Sequence, residues 1–226
     1  MSKDQRYCVA WFESGPRVRG KTRAALWRKS KWPDQGKITV SFLEGSIKLR
    51  DRVQAAAELW TKHANLTLEF RDDTTKADVR IAFQQGAGSW SLIGTTCKNA
   101  AKTKPTMNFG WLTPTSGKAE IEEVVLHEFG HALGLIHEHQ SPSGGIKWKK
   151  DLVYAELKAT HGWSKAKVDT NILEPASKSE SNFTKFDPLS IMLYPIPSRW
   201  TVDGFTSATN SKLSKVDKSF IASEYP

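Results

Sequence analysis

The sequence predicts an α+β fold, because strand-like and helix-like patterns occupy separate stretches of the chain. Apolar and polar residues alternate in ITVSFL (38–43), LTLEF (66–70) and DVRIAF (78–83), which is typical of half-buried strands. Between the first two stretches, apolar residues recur at helical spacing over 49–64, which indicates an amphipathic helix. Strands and one helix therefore dominate the first half of the chain.

The later elements are a short strand, an apolar helix and three further helical segments. They are predicted at 106–112, 120–133, 151–162, 164–173 and 213–225. Gly134 ends the apolar helix as a C-terminal cap would, and Ser214 is the N-cap of the last helix. Gly86 and Gly88 follow the strand at 78–83 and indicate a bulge or an irregular loop.

The composition is that of an ordinary soluble globular chain. Of its 226 residues, 38% are hydrophobic and 25% are charged, so one domain with a sizeable core is expected. The net charge of +9 indicates a basic surface, either simply solvated or able to steer acidic partners. No basic cluster coincides with a nucleic-acid motif, so no nucleic-acid partner is expected. No apolar run is long enough for a membrane span, and the first residues lack the apolar stretch of a secretory signal.

A dense group of histidines lies at the end of the apolar helix, in HEFGHALGLIHEH (127–139). His127 and His131 are four residues apart, so both lie on one face of a helix and can bind one zinc ion. Glu128 is placed to reach a metal-bound water, and Gly134 allows a turn that returns His137 as a third ligand. Three histidines leave a fourth position open for water, which is typical of a catalytic zinc site.

These residues resemble the HExxHxxGxxH signature of the metzincin zinc metalloproteases. The glutamate after the third histidine, Glu138, is similar to that of the astacin branch, and SIMLYP (190–195) resembles the methionine-containing turn of the family. By this resemblance Met192 would form a hydrophobic floor beneath the zinc, and Tyr194 would be a zinc ligand at rest that stabilises the transition state. The QSPSGG stretch that follows His139 and the proline after Tyr194 depart from the astacin pattern, and the proline is similar to matrix metalloproteases.

The resemblance implies a metzincin-type zincin fold and a zinc-dependent metalloendopeptidase. We expect a twisted mixed sheet, a backing helix and the active-site helix in an upper lobe, with an irregular lower lobe that ends in a C-terminal helix. Glu128 would be the general base that acts on zinc-activated water. A protein or peptide substrate would bind in extended form along an edge strand near 78–83. The family also implies a secreted or exported protein.

The basic segment 1–36 precedes the predicted catalytic domain at 37–226 and is a candidate prosegment. Residues 1–37 contain ten Lys/Arg and three acidic residues without a regular pattern. Cys8 lies in this segment, and three roles stay open for it: a thiolate that latches the zinc, a disulfide with Cys97, or a free thiol. No spacing argument requires His139 as a ligand, so we expect it behind the ligands or at the surface.

Three alternatives to an active endopeptidase follow from the same residues. The zinc site would also suit a hydrolase of a non-peptide amide or ester, since the motif describes the metal and the base but not the substrate. A non-catalytic binding module stabilised by zinc is disfavoured by the intact Glu128 and the open ligand position. The third alternative is an inactive zymogen that is latched by residues 1–36.

Overall fold

The computed structural model describes residues 8–11, 26–175 and 181–226. The strands are β1 (Val9–Trp11), β2 (Leu26–Trp27), β3 (Lys37–Phe42), β4 (Thr67–Phe70), β5 (Val79–Ala82), β6 (Ser89–Leu92), β7 (Met107–Phe109) and β8 (Ser181–Asn182). The α-helices are α1 (Ile47–Thr61), α2 (Lys118–Ala132), α3 (Lys150–His161), α4 (Lys165–Val168) and α5 (Lys215–Glu224). The α+β class is confirmed, and each predicted helix and strand has a counterpart in the structure. The strands β1, β2, β6 and β8 are additional.

Six strands form one mixed sheet in the order β1-β6-β7-β5-β3-β4. The neighbours β3, β4, β5 and β7 run parallel, whereas β6 is antiparallel to β7 and parallel to β1. The prediction that 78–83 forms the edge for a substrate is wrong, because β5 lies between β3 and β7. The strand between β1 and the rest of the sheet is β6, which follows the glycine loop. Both loop glycines, Gly86 and Gly88, have positive φ.

Strand β5 is buried on both faces, although its alternating sequence predicts one solvated face. Arg80 is fully buried, and its guanidinium donates hydrogen bonds to the carbonyl oxygens of Ala77 (2.9 Å) and Lys104 (2.8 Å). The connection that leads into β7 therefore covers the second face of the strand. The carbonyl oxygens satisfy a buried charge that would otherwise be costly.

Helix α1 packs against α2 on one side of the sheet and forms the main core with it. Ser46 caps α1 by accepting a hydrogen bond from the backbone N–H of Leu49. The indole of Trp60 is fully buried and donates to the carbonyl oxygen of Leu126 in α2 (2.9 Å). Trp32 also belongs to this core and donates from its indole to the carbonyl oxygen of Ala132 (2.7 Å). These contacts fix the end of α2 that carries the histidines.

A second hydrophobic core lies in the less regular part of the chain, beneath α3 and α4. Helix α3 ends at Gly162, which has φ +65° and caps the helix in the left-handed conformation. Helix α4 continues into one π-helical turn at Asp169–Leu173. Trp111 packs against both cores, so it joins the two parts of the molecule. No helix in residues 8–11, 26–175 and 181–226 has the length and apolarity to cross a membrane.

Candidate active site

Helix α2 presents two of the predicted ligands from successive turns. The imidazole rings of His127 and His131 lie 4.9 Å apart between centroids and meet edge to face. The apolar neighbours of the two histidines, such as Phe129 and Ala132, are buried in the main core. Core packing on one side therefore directs the imidazoles to the other side, where the second core begins.

The third histidine reaches the same point because the chain reverses immediately after α2. Gly134 has φ +98°, and its N–H donates to the carbonyl oxygen of His131 (2.8 Å), while Leu135 N–H donates to Gly130 (2.9 Å). A side chain at this φ would be strained. The reversal places the Nε2 atom of His137 3.1 Å from the Nε2 atom of His131.

Backbone carbonyl groups hold two of the three imidazoles in the tautomer that binds metal. The Nδ1 atom of His127 lies 2.9 Å from the Ile191 oxygen, and that of His131 lies 2.8 Å from the Leu135 oxygen. In both contacts Nδ1 carries the proton and donates it to the carbonyl oxygen. Nε2 therefore keeps the lone pair with which an imidazole binds a metal. The buried Nε2 atom of His127 has no hydrogen-bond partner among the described residues.

The three imidazoles suit a zinc ion because they are neutral and because their donor atoms lie close together. Burial lowers the pKa of His127 to about 4 and lowers the pKa values of His131 and His137 well below the ordinary histidine value. Neutral imidazole is the form that ligates zinc. Each of the three histidines and Cys8 offers one donor atom, and the four atoms lie within 4.8 Å of one another. A buried set of three nitrogens and one sulfur fits tetrahedral zinc.

Cys8 is the fourth member of this group, which favours the latch among the three roles predicted for it. Both cysteines are free and buried, so the Cys8–Cys97 disulfide is not present. The Sγ atom of Cys8 donates to Glu128 Oε2 at 3.2 Å. Burial raises the pKa of the Cys8 thiol well above its usual value, and the charge of Glu128 raises it further.

Glu128 lies next to the ligands with its carboxylate directed at the same space. The residue is 1% exposed, and burial raises its pKa to about 8. Its Oε1 atom has no hydrogen-bond partner among the described residues, whereas Oε2 accepts from Cys8. A buried carboxylate with a raised pKa can both accept and return a proton near neutral pH.

Tyr194 packs on the ligand histidines from the other side of the site. Its ring centroid is 4.2 Å from that of His137 and 4.8 Å from that of His139, and its hydroxyl donates to the backbone oxygen of Cys8. His139 is not at the surface: it is 4% exposed, and its Nε2 atom lies 3.0 Å from the Asn171 oxygen. His139 therefore lies behind the ligands as a support for the phenol ring.

The turn that carries Met192 and Tyr194 is held by α5. Asp217 accepts hydrogen bonds from the Ser190 hydroxyl (2.7 Å) and the Ile191 N–H (2.9 Å). The same carboxylate completes the capping box of α5 with Ser214. Because the Ile191 oxygen also contacts His127, α5 indirectly positions a ligand. A Cβ on Gly130 would overlap the Met192 sulfur, so the sulfur packs closely against α2.

Glu138 points away from the metal-binding group and joins two backbone segments. Its N–H donates to the Met192 oxygen (2.9 Å), and its Oε1 atom accepts from the Asp187 N–H (2.8 Å). Burial raises its pKa to about 8.

The structure thus brings together every predicted site residue. Sequence reasoning missed the Ile191 carbonyl group, the Asp217 carboxylate and Asn210, which lines the small cavity beside His127. Only the Ser214-to-Asp217 spacing, which matches a capping box, signalled any of them in the sequence. The other contacts depend on how distant segments pack.

Comparisons with known proteins agree with this site. The family model of astacin, a peptidase family, matches residues 25–198. The chain is 41% identical to myroilysin in a solved structure, with a TM-score of 0.87 over 89% of this chain and 98% of that one. A hatching enzyme zinc-protease of the medaka fish Oryzias latipes shares the fold at 13% identity, with a TM-score of 0.57 over 87% of this chain and 94% of that one.

Curated relatives match over a smaller share of their own length. The zinc metalloproteinase nas-38 of Caenorhabditis elegans is 29% identical over 133 residues, which are 58% of this chain and 16% of the relative. Over three such relatives the chain spans between 16% and 30% of their length. The predicted resemblance to astacin-like zinc metalloproteases and the predicted fold are confirmed.

Proposed function

Because this chain belongs to the astacin family of zinc peptidases, we propose that it is the catalytic unit of a zinc-dependent metalloendopeptidase. The observation that carries the proposal is the convergence of His127, His131 and His137 with the Glu128 carboxylate beside them. A structural zinc site needs no such carboxylate, and three histidines leave one ligand position for a reacting group.

His127, His131 and His137 would hold the zinc through their Nε2 atoms. Bound zinc supplies positive charge that polarises the scissile carbonyl and lowers the pKa of water. Glu128 accepts a proton from the attacking water at its carboxylate and passes it to the nitrogen of the leaving amine.

Tyr194 would stabilise the negative charge that develops on the scissile oxygen. Its hydroxyl is already directed at the ligand group, where it meets the backbone oxygen of Cys8. A phenol that donates to a carbonyl oxygen in this position can donate to the oxyanion of a substrate. Stacking on His137 and His139 limits the ring to a small range of orientations.

The proposed substrate is a polypeptide that binds in extended form along β6. This strand has β7 on one side and only the short β1 on the other. With β1 absent, its backbone groups would pair with a peptide by β-augmentation. An extended backbone at this strand favours peptides over other amides or esters. Export of the protein, which the resemblance implies, belongs to the same proposal.

We also infer that the unprocessed chain is a latched zymogen. Residues 8–11 occupy three parts of the site together: β1 pairs with β6, the Cys8 thiol lies among the histidines, and the Cys8 oxygen engages Tyr194. A thiolate on zinc would fill the position that water needs. The substrate strand, the ligand position and the oxyanion donor are thus all blocked by one segment.

The prosegment boundary is best placed earlier than the predicted 36/37. Trp32 is buried in the main core, and its backbone N–H donates to the Tyr225 hydroxyl (3.2 Å). Strand β2 pairs with β8. Cleavage at 36/37 would remove β2 and Trp32 and would therefore damage the core. We propose that processing occurs between Trp11 and Leu26. That stretch contains the basic sequence RVRGKTR.

Zinc content measured beside proteolysis tests the proposed function. We expect one equivalent of zinc, and internal cleavage of a mixed peptide library by the processed protein that a chelator abolishes. Zinc without cleavage of peptides or casein by the processed protein would contradict it and favour the binding module or a non-peptide substrate.

A further inference from the structure

A basic groove lies on the face of α2 next to the active site. Two adjoining cavities of about 330 and 370 Å³ share Leu59, Lys118 and Glu122 in their walls. Helices α1 and α2 form the sides of the groove, and the segment 211–213 closes one end together with α5. The groove is large enough for several amino-acid side chains.

The groove is strongly positive. Five Lys or Arg side chains line the groove, and among the described residues that line it Glu122 is the one acidic residue. Glu122 already contacts Lys118, at 3.6 Å. Lys62, Lys212 and Lys218 form no ion pair with any residue in the described parts of the chain. Their charges are thus free for a partner, and several like charges around a concave surface attract anions.

The floor of the groove is apolar, which distinguishes it from an ordinary solvated basic face. Leu59 is half-buried, and Leu126 and Leu213 are 1% and 9% exposed. A partner that fits both features carries negative charges together with apolar groups. An acidic polypeptide segment has this composition, whereas a sulfated polysaccharide offers charge and hydroxyl groups without apolar side chains.

The groove and the active-site cavity are lined by neighbouring residues of the same two segments, α2 and 209–213. Thr209 and Asn210 line the cavity beside His127, and the next residue, Ser211, lines the groove. Asn210 is anchored, because its side-chain amide donates to the Ser190 oxygen (2.9 Å). On α2, Glu123 faces the cavity and Glu122 faces the groove. The groove therefore lies beside the active-site cavity along both α2 and the segment 209–213.

We propose that this basic groove is an exosite that binds an acidic segment of the polypeptide substrate at a distance from the scissile bond. This proposal rests on the proposed endopeptidase function for the identity of its ligand. The groove adds affinity for substrates that carry acidic residues beyond the reach of the cleft, and it leaves short neutral peptides unaffected.

Direct binding tests the exosite without catalysis. The probe is a fluorescein-labelled peptide with a tract of glutamates, titrated against the full chain carrying Glu128→Gln and followed by anisotropy. Adding Lys62→Glu and Lys212→Glu should weaken binding roughly tenfold or more, and high salt should do the same. The matched control adds Lys102→Glu and Lys158→Glu, two exposed lysines outside the groove with the same change of charge, and should retain most of the affinity. Equal losses in both double variants would overturn the proposal.

Kinetics with paired substrates separates the exosite from the proposed function. One library peptide that the processed protein cleaves is compared with the same peptide extended by a glutamate tract. The extension should lower KM in the processed wild type and not in the processed Lys62→Glu/Lys212→Glu variant, whose activity on the short peptide should be unchanged. Cleavage of both peptides with equal KM would overturn the exosite alone. Glutamate-tract binding that the groove variant loses, in a protein that cleaves no peptide, would overturn only the endopeptidase function.

Binding of a heparin fragment tests whether the groove recognises a sulfated polysaccharide instead of an acidic polypeptide. If heparin binds in the groove while the glutamate probe shows no binding, the groove recognises a sulfated polysaccharide and the proposal is wrong. If the glutamate probe binds and is lost in the groove variant, the acidic polypeptide is supported. Thermal unfolding of both double variants verifies that the fold is retained.

Discussion

Cys8 and Cys97 are both buried free thiols, yet their surroundings differ completely. Cys97 lies in the short helix Gly94–Asn99 within the main core, where burial and then the charge of nearby Asp78 raise its pKa to about 12. Cys8 lies among three imidazoles and a carboxylate, with its donor atom within 4.8 Å of theirs. Burial alone therefore creates no site. A site arises where buried groups converge without enough protein partners to satisfy them.

The largest expected effect on activity comes from a change in the group around Cys8, at Glu128. Glu128→Gln in the processed protein keeps the shape of the side chain but removes its ability to take a proton. We expect kcat to fall by roughly 10²–10⁴-fold, the usual contribution of a general base. Zinc content should stay at one equivalent, because the three histidines hold the metal. Initial rates on a library peptide and metal analysis measure the two quantities.

The matched control is Glu122→Gln, six residues before Glu128 on the same helix and outside the catalytic site. It should leave kcat on the short peptide nearly unchanged. A Glu128→Gln variant that cleaves as fast as the wild type would show that another group takes the proton.

The second effect concerns the thiol itself. Cys8→Ala removes the sulfur from the ligand group, so the unprocessed chain should gain activity, by roughly tenfold or more if the open form is a minor population in the wild type. Brief trypsin treatment of the wild type should produce a comparable gain, with a new N-terminus between Trp11 and Leu26. No gain from Cys8→Ala, together with full activation by trypsin, would show that β1 and not the thiol blocks the site.

The sequence predicts much of the fold because the periodic elements are local. The pattern over 49–64 corresponds to α1, and the alternation at 38–43 corresponds to β3. The prediction failed for the substrate edge, since the order of strands in a sheet depends on contacts between distant segments. DVRIAF has the stronger strand pattern, but its neighbours on both sides bury it, whereas SWSL follows a glycine loop and lies toward the edge.

The candidate site likewise has a part that the local sequence predicts and a part that depends on distant contacts. The positions of His127, His131 and His137 follow from helix geometry and from one glycine, all within eleven residues. The supports of these ligands come from far along the chain, such as the Ile191 oxygen on His127 and Asp217 behind Ile191. The place of Cys8 depends on the pairing of β1 with β6, and no local pattern predicts that pairing.

The smallest expected effect is that of Cys97→Ala, which tests whether Cys97, unlike Cys8, has no role in regulating the site. Cys97→Ala removes one buried atom from a packed core, so we expect a loss of about 1 kcal/mol in the free energy of unfolding. For a chain of this length the corresponding fall in Tm is about 2–4 °C. Activity before and after processing should match the wild type, because Cys97 lies outside the group of donor atoms at the site. Iodoacetamide labelling of the metal-loaded native Cys8→Ala variant should also be negligible near neutral pH, since burial keeps the Cys97 thiol protonated and out of reach. Rapid labelling of Cys97, or a gain of activity in Cys97→Ala, would mean that this thiol also regulates the site and would remove the distinction between the two cysteines.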